Sequence, residues 1–182
     1  MTLKKYKIIG TFLIFLSCFA FHFAYETFPN TIFSLIFPVN ESIWEHMKLL
    51  FTPFILYTVI EYLLINKYER INNLYLQLFL IPVVGVAVYL MIYLPIYYSI
   101  GENMFVSFIL LFLVIGLQQY LSYHLSLKEE FKYQTTLGIL GSLLTFSVFT
   151  YLTYLPFKQE LFFDTQKEIY GIPEYQNTVY KR

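Results

Sequence analysis

Residues 74–98 read LYLQLFLIPVVGVAVYLMIYLPIYY, a run without a single Asp, Glu, Lys, Arg or His. A helix that crosses a bilayer needs roughly 20 predominantly apolar residues, because inside hydrocarbon every backbone group must be satisfied within the segment itself. This run meets the requirement, and similar stretches surround it at about 8–25, 43–65, 104–125 and 136–157. Short polar punctuation separates them: NKYERINN (66–73), SIGEN (99–103) and SLKEEFK (126–132). Neither a soluble insert nor an internal repeat interrupts the pattern. The predicted fold is all-α, an integral membrane bundle of about five transmembrane helices over residues 1–157 with a tail at 158–182.

Composition agrees. The chain is 58% hydrophobic and only 13% charged, whereas a soluble domain is about a quarter charged. Twelve Lys and Arg balance twelve Asp and Glu, so there is no basic footprint for nucleic acid, and the expected partner is the lipid bilayer. Cys18 is the only cysteine; it excludes an internal disulfide framework and any Cys-based zinc site.

Orientation follows from Lys and Arg near the span ends, which accumulate on the cytoplasmic side. KKYK (4–7) precedes the first span, Lys67 and Arg70 follow the second, and Lys128 and Lys132 follow the fourth. These share one side if the N-terminus is inside and the C-terminus outside. Lys48 and the tail cations Lys158, Lys167, Lys181 and Arg182 fall on the other side, the tail cations among compensating acids. A competing reading takes residues 1–20 as a signal peptide, with FLSC (15–18) as a loose processing site. Four spans follow, however, and a retained first helix is the reading adopted. The segment TIFSLIFPV (31–39) is apolar but too short to cross, and is expected to be interfacial or re-entrant on the outer side. Pro53 should loosen the second helix, and Pro82 and Pro95 the third. Gly138 and Gly141 should let a neighbour approach the fifth.

Charge is scarce, yet PVNESIWEHMKLL (38–50) crowds two carboxylates, a histidine, a lysine and the only Trp into the start of the second span. If that helix begins near Glu41, then Glu41, Glu45 and Lys48 form one stripe, with Ser42 and His46 on an adjacent face. His22 and Glu26 are i, i+4 partners at the outer end of the first helix. Topology therefore lets His22, Tyr25, Glu26, Glu41, Glu45, His46 and Lys48 meet at one outward-facing seam. Simpler roles exist for each residue alone. S-I-W-E (42–45) matches a capping box, with Glu45 reaching back to the Ser42 backbone, and Trp44 suits the aromatic belt of a membrane interface. Capping explains neither the His22–Glu26 pair nor His46 together with Lys48, and ionisable groups at membrane depth are costly enough to suggest function.

Two imidazoles and two or three carboxylates suit a divalent zinc, iron or manganese ion in ligand type, and His22, Glu26, Glu45 and His46 are the candidate ligands. The spacing is not diagnostic: there is no H-E-x-x-H, and Glu45 and His46, as neighbours, point about 100° apart on a helix. Without metal the same groups suit acid–base work. Lys48 would then hold a phosphate or carboxylate, with a lipid headgroup at the outer leaflet as the natural ligand. Near the inner side, His124 is accompanied by Gln118, Gln119, Ser122 and Tyr123. They are read as interhelical hydrogen bonding, or as the inner end of a polar pathway that Glu61 would join. In the tail, Gly171–Pro173 reads as a turn. The tail is either solvated or folded back as a lid that brings Asp164 or Tyr170 to the site.

HFAYE (22–26) and PVNESIWEH (38–46) resemble a family of small multi-pass bacterial membrane proteins of unknown function. Its core is an N-E-S-x-W-E-H stretch after a first helix ending in His-Phe; the YGI at 170–172 is also similar. The resemblance implies a bacterial cytoplasmic-membrane protein and adds weight to Asn40, Glu41, Ser42, Trp44, Glu45 and His46 as a unit. The first functional expectation is a site that binds a metal ion or polar headgroup and supports hydrolytic or transfer chemistry. There Glu45 or Glu26 would be the base, His22 and His46 ligands or acid–base groups, and Lys48 the anion holder. A second is a small transporter or permease component, for which five helices would require a homo-oligomer. A third is a non-catalytic subunit whose polar cluster locks helix packing.

Overall fold

Long apolar runs in this chain become helices, and the breaks between them fall where a cap or proline dictates. The computed structural model describes residues 2–172 and Tyr175. Helix α1 (Leu3–His22) breaks at Phe23 and resumes as the short α2 (Ala24–Thr27). The segment expected to be interfacial carries α3 (Thr31–Ile36), started by Asn30, whose Oδ1 accepts the Phe33 N–H at 3.1 Å. One turn of helix, α4 (Ile43–His46), leads through Met47 into α5 (Lys48–Ile65). Then follow α6 (Leu74–Ile100), α7 (Met104–Leu127) and α8 (Gln134–Tyr154). The last helix stops earlier than the sequence pattern suggests, since Leu155 precedes Pro156 and is pushed from the helical region to φ −129°, ψ 62°.

Five stretches, Leu3–Thr27, Ile43–Ile65, Leu74–Ile100, Met104–Leu127 and Gln134–Tyr154, are long and apolar enough to cross a membrane. The all-α five-helix bundle read from the sequence is thus the observed architecture. Helices α1 and α6 lie opposite each other, each packed on both α5 and α7, while α8 packs on the outer side of α6. Ile14, Leu50, Phe54, Val114 and Ile115 fill the centre of that ring, and residues such as Leu63, Leu140 and Leu144 face outward. The α6–α8 contact depends on Gly138, where a Cβ would overlap the Tyr75 backbone. Pro53 sits inside α5 and leaves the Leu49 carbonyl without its helical donor. The Cys18 thiol lies 3.4 Å from that oxygen and 3.2 Å from the Ile14 carbonyl of its own helix, so its one proton is shared between α1 and the loosened turn.

Near the N-terminal end of α1 the bundle holds a second polar group. Lys7 pairs with Glu61 and donates to Ser122 Oγ, which donates in turn to Gln77 Oε1 at 2.6 Å. Side chains of α1, α5, α6 and α7 meet there. Lys7 is buried within the first span, so it does not serve as a flanking charge in the way the KKYK reading assumes. Gln118 donates to the Leu50 carbonyl at 3.0 Å, and His124 is exposed against the rings of Tyr120 and Tyr123.

After α8 the chain makes a 3-10 turn (Glu160–Phe162) and a small antiparallel hairpin, β1 (Phe163–Asp164) with β2 (Ile169–Tyr170). Gly171 follows at φ +58°, a conformation that suits glycine. The turn expected at Gly171–Pro173 falls partly on Pro173, which lies outside the described residues, as do Lys181 and Arg182.

Candidate functional site

The crowded motif begins outside any helix. Ser42 is the N-cap of α4, and its Oγ accepts the Glu45 N–H at 3.3 Å. Asn40 and Glu41 precede the cap and follow no helical periodicity. The stripe expected for Glu41, Glu45 and Lys48 is therefore broken, and the cluster divides into two groups with different surroundings.

One group is closed. The Glu45 carboxylate accepts the Lys48 ammonium at 2.7 Å and the Val39 N–H at 3.1 Å through Oε2, and the Thr153 hydroxyl at 2.8 Å through Oε1. Its reach back is to Val39; the Ser42 N–H donates to Asn40 Oδ1 at 2.9 Å instead, so only half of the expected capping box forms. Lys48 spends its other two donors on the carbonyls of Ser34 (2.8 Å) and Phe37 (3.2 Å). Both side chains are about 2% exposed, and this pair lies apart from the histidines. The expected placement of Glu45 in a ligand set with His22 and His46, and of Lys48 as an open anion holder there, is corrected by this pairing. A buried ion pair with every hydrogen bond filled anchors α3, α4, α5 and α8 to one another.

The other group is open. Glu41 stands between the two histidines, with Oε1 3.6 Å from His22 Nε2 and Oε2 3.5 Å from His46 Nε2. The imidazoles are stacked, with centroids 5.1 Å apart and planes at 30°. The donor atoms of all three side chains lie within 4.8 Å of one another. His46 Nδ1 is 2.9 Å from the Ser42 carbonyl oxygen. A carbonyl only accepts, so Nδ1 carries a proton and Nε2 is the nitrogen turned toward Glu41. His22 Nδ1 is buried and finds no hydrogen-bond partner among the described residues.

Ligands about 2.0–2.1 Å from a tetrahedral zinc lie about 3.4 Å apart; the two Glu41–His separations are near that value but use different carboxylate oxygens, and the set as a whole extends to 4.8 Å. Two His and one Glu are also the donor set of an open catalytic zinc site rather than a closed structural one. The candidate set from the structure is His22, Glu41 and His46. Glu26, expected among the ligands, is exposed beside His22 rather than within the group, and Tyr25 is half-buried on the same short helix.

Asp164, at 0% exposure, fixes Glu41 from the far end of the chain. Its Oδ2 accepts the Glu41 N–H, and its Oδ1 accepts those of Gln166 and Lys167, each at 2.9 Å. Asn40 Nδ2 donates to the Gly171 carbonyl at 2.9 Å. Tyr170 instead packs its ring on Phe163 at 4.9 Å. Trp44 stacks on Phe149 (5.0 Å) and meets Phe162 at a tilt (5.3 Å, 44°), which pins the tail to α4 and α8.

Beneath the open group lies a cavity of about 330 Å³ between α1, α5, α6 and α7, with His22, Glu41 and His46 in its wall. Tyr89, Tyr93 and Tyr97 line its α6 side. Sequence reasoning did not single them out, although their spacing of four was readable as one helical face.

Residues 1–172 match the model of a family of unknown function, DUF6512. The chain belongs to DUF6512. No curated protein and no solved structure matches it. In this DUF6512 chain the matched region includes both halves of the divided motif and the hairpin that clamps it.

Proposed function

We propose that this multi-pass membrane protein holds a divalent transition-metal ion, zinc in the first instance, on His22, Glu41 and His46. We further read the ion as acting on a polar headgroup or other oxyanion by hydrolytic or transfer chemistry. One observation carries this: three donors of suitable type within 4.8 Å of one another, on the wall of a cavity. A metal with an open position polarises a bound carbonyl or phosphoryl oxygen and lowers the pKa of bound water. Glu45 and Lys48 are then structural groups, and Asp164 positions Glu41. The hairpin is the lid of this reading. The distribution of Lys and Arg supports an outward-facing site with the N-terminus inside, and the resemblance noted above implies a bacterial cytoplasmic membrane.

Elemental analysis of detergent-purified protein tests it. Wild type should carry about one metal per chain, and both Glu41→Gln and His46→Ala should lose it while remaining folded. Absence of metal from zinc-loaded wild type, or its retention in both variants, would refute the proposal.

A transporter reading draws support from the buried Lys7–Glu61 pair and from Gln119, whose two side-chain polar atoms are buried without a hydrogen-bond partner among the described residues. Under that reading the unit is a homo-oligomer, and Gln119→Leu abolishes uptake into proteoliposomes while sparing metal content.

A further inference from the structure

The cavity below His22, Glu41 and His46 has two ends of unlike chemistry. At its mouth are the imidazoles and carboxylate, together with Gln166 of the hairpin. At depth the walls are apolar, with Cys18 from α1, Leu49 from α5 and Leu111 from α7. Tyr89, Tyr93 and Tyr97 run down the remaining wall, with successive centroids 5.3 and 6.0 Å apart. A volume of about 330 Å³ lies at the small end of ligand sites, which span about 300–1,000 Å³.

Two observations say what enters. The first is the rim: Phe19 and Phe108 line the cavity and are also 42% and 40% exposed on the outer surface of α1 and α7. Their rings meet at 5.5 Å. These two partly exposed rings belong to both the cavity wall and the apolar surface of the bundle, which makes the gap between them the route expected for a molecule dissolved in the bilayer. The second is charge. Glu41 and Glu102 both line the cavity, so without a metal it repels anions; a divalent ion at the histidines would cancel that charge and offer an oxyanion a direct ligand position.

Resting on the metal reading above, we infer that the cavity binds a single-chain amphiphile with a phosphate head, the head on the metal and the aliphatic chain between the tyrosines and Leu111. The bilayer is its source. Free inorganic phosphate shares the head chemistry but leaves the deep end unfilled.

The test uses the full chain in nanodiscs, loaded with zinc. Radiolabelled decyl phosphate, inorganic phosphate and decyltrimethylammonium are the probes, corrected for empty nanodiscs, with metal content measured on the same samples. Decyl phosphate should bind at one per chain, and chelation of the zinc should abolish its binding. Inorganic phosphate should bind at least about 100-fold more weakly, and decyltrimethylammonium should not bind. Leu111→Trp fills the deep end without touching the metal set; it should weaken decyl phosphate at least about tenfold and leave metal and inorganic phosphate unchanged. Leu111→Phe, a smaller enlargement, should give a graded loss and serves if the tryptophan variant fails to fold. Zinc present with decyl phosphate no tighter than inorganic phosphate, or indifferent to both Leu111 variants, overturns the amphiphile and leaves the metal site standing. Equal binding of the cationic amphiphile overturns the phosphate head. Failure to retain zinc overturns the metal reading and the phosphate head that depends on it.

Discussion

Lys48→Met separates the structural half of the motif from the proposed metal half. Methionine keeps the length and apolar stem of lysine but removes the ammonium. Glu45 is then left as a buried carboxylate with no counter-ion, and the Ser34 and Phe37 carbonyls lose their donor. Breaking one side of a buried pair costs about 3–5 kcal/mol, since the survivor's charge is neither paired nor hydrated. Adding Glu45→Met removes the orphaned charge. Thr153 keeps a partner, because its hydroxyl also lies 2.9 Å from the Phe149 carbonyl. Relative to Lys48→Met, only the Val39 N–H additionally loses its acceptor, for about 1–3 kcal/mol; the Ser34 and Phe37 carbonyls lack their donor in both variants. The double variant should therefore be more stable than Lys48→Met by about 2 kcal/mol. Unfolding in mixed micelles, followed by the fluorescence of Trp44, measures both. Zinc content of the folded fraction should match wild type in each, since neither side chain contacts His22, Glu41 or His46. A Lys48→Met cost below about 1 kcal/mol, a double variant no more stable than the single, or loss of zinc from protein that remains folded would refute this division of the motif.

Three further outcomes are expected. Asp164→Asn turns one acceptor of backbone N–H groups into a donor and frees Glu41; zinc affinity should fall about 10–100-fold with far-UV circular dichroism unchanged. Gly138→Val places a branched side chain against the Tyr75 backbone and should cost about 1–3 kcal/mol by forcing α8 away from α6, read by thermal unfolding. Lys7→Met strands Glu61 among Ser122 and its neighbours and should cost about 3–5 kcal/mol; Lys7→Met combined with Glu61→Gln should recover much of it in the same assay.

The bundle was legible because hydropathy, length and the bilayer constraint act on the same residues. Runs such as 74–98 admit one solution, and Gly138 was readable as a close-contact position for the same reason: a missing side chain has a consequence regardless of partner. Leu155–Pro156 shows the limit, since apolarity continues past the residue where backbone geometry ends the helix. The polar seam was legible in its members and not in its pairings. Treating 41–48 as one helix put Glu41, Glu45 and Lys48 on one stripe, whereas the cap at Ser42 and the joint at Met47 place Glu41 with the histidines and Glu45 with Lys48. Lys7 was misread for a related reason: a basic residue at a span end resembles a flanking charge until its partner, 54 positions away, is known. Long-range partners are fixed by packing, which a local pattern does not encode.

The bond from Glu41 to Asp164 spans 123 positions of the chain, and this sets an order of events during biosynthesis. His22, Glu41 and His46 emerge from the ribosome early, while Asp164 follows only after all five helices. A half-made chain thus carries these three donors before the group that fixes Glu41 exists. If the proposed metal binds there, firm retention would wait until the hairpin docks, and metal occupancy would report that synthesis and insertion have run through to the C-terminal segment.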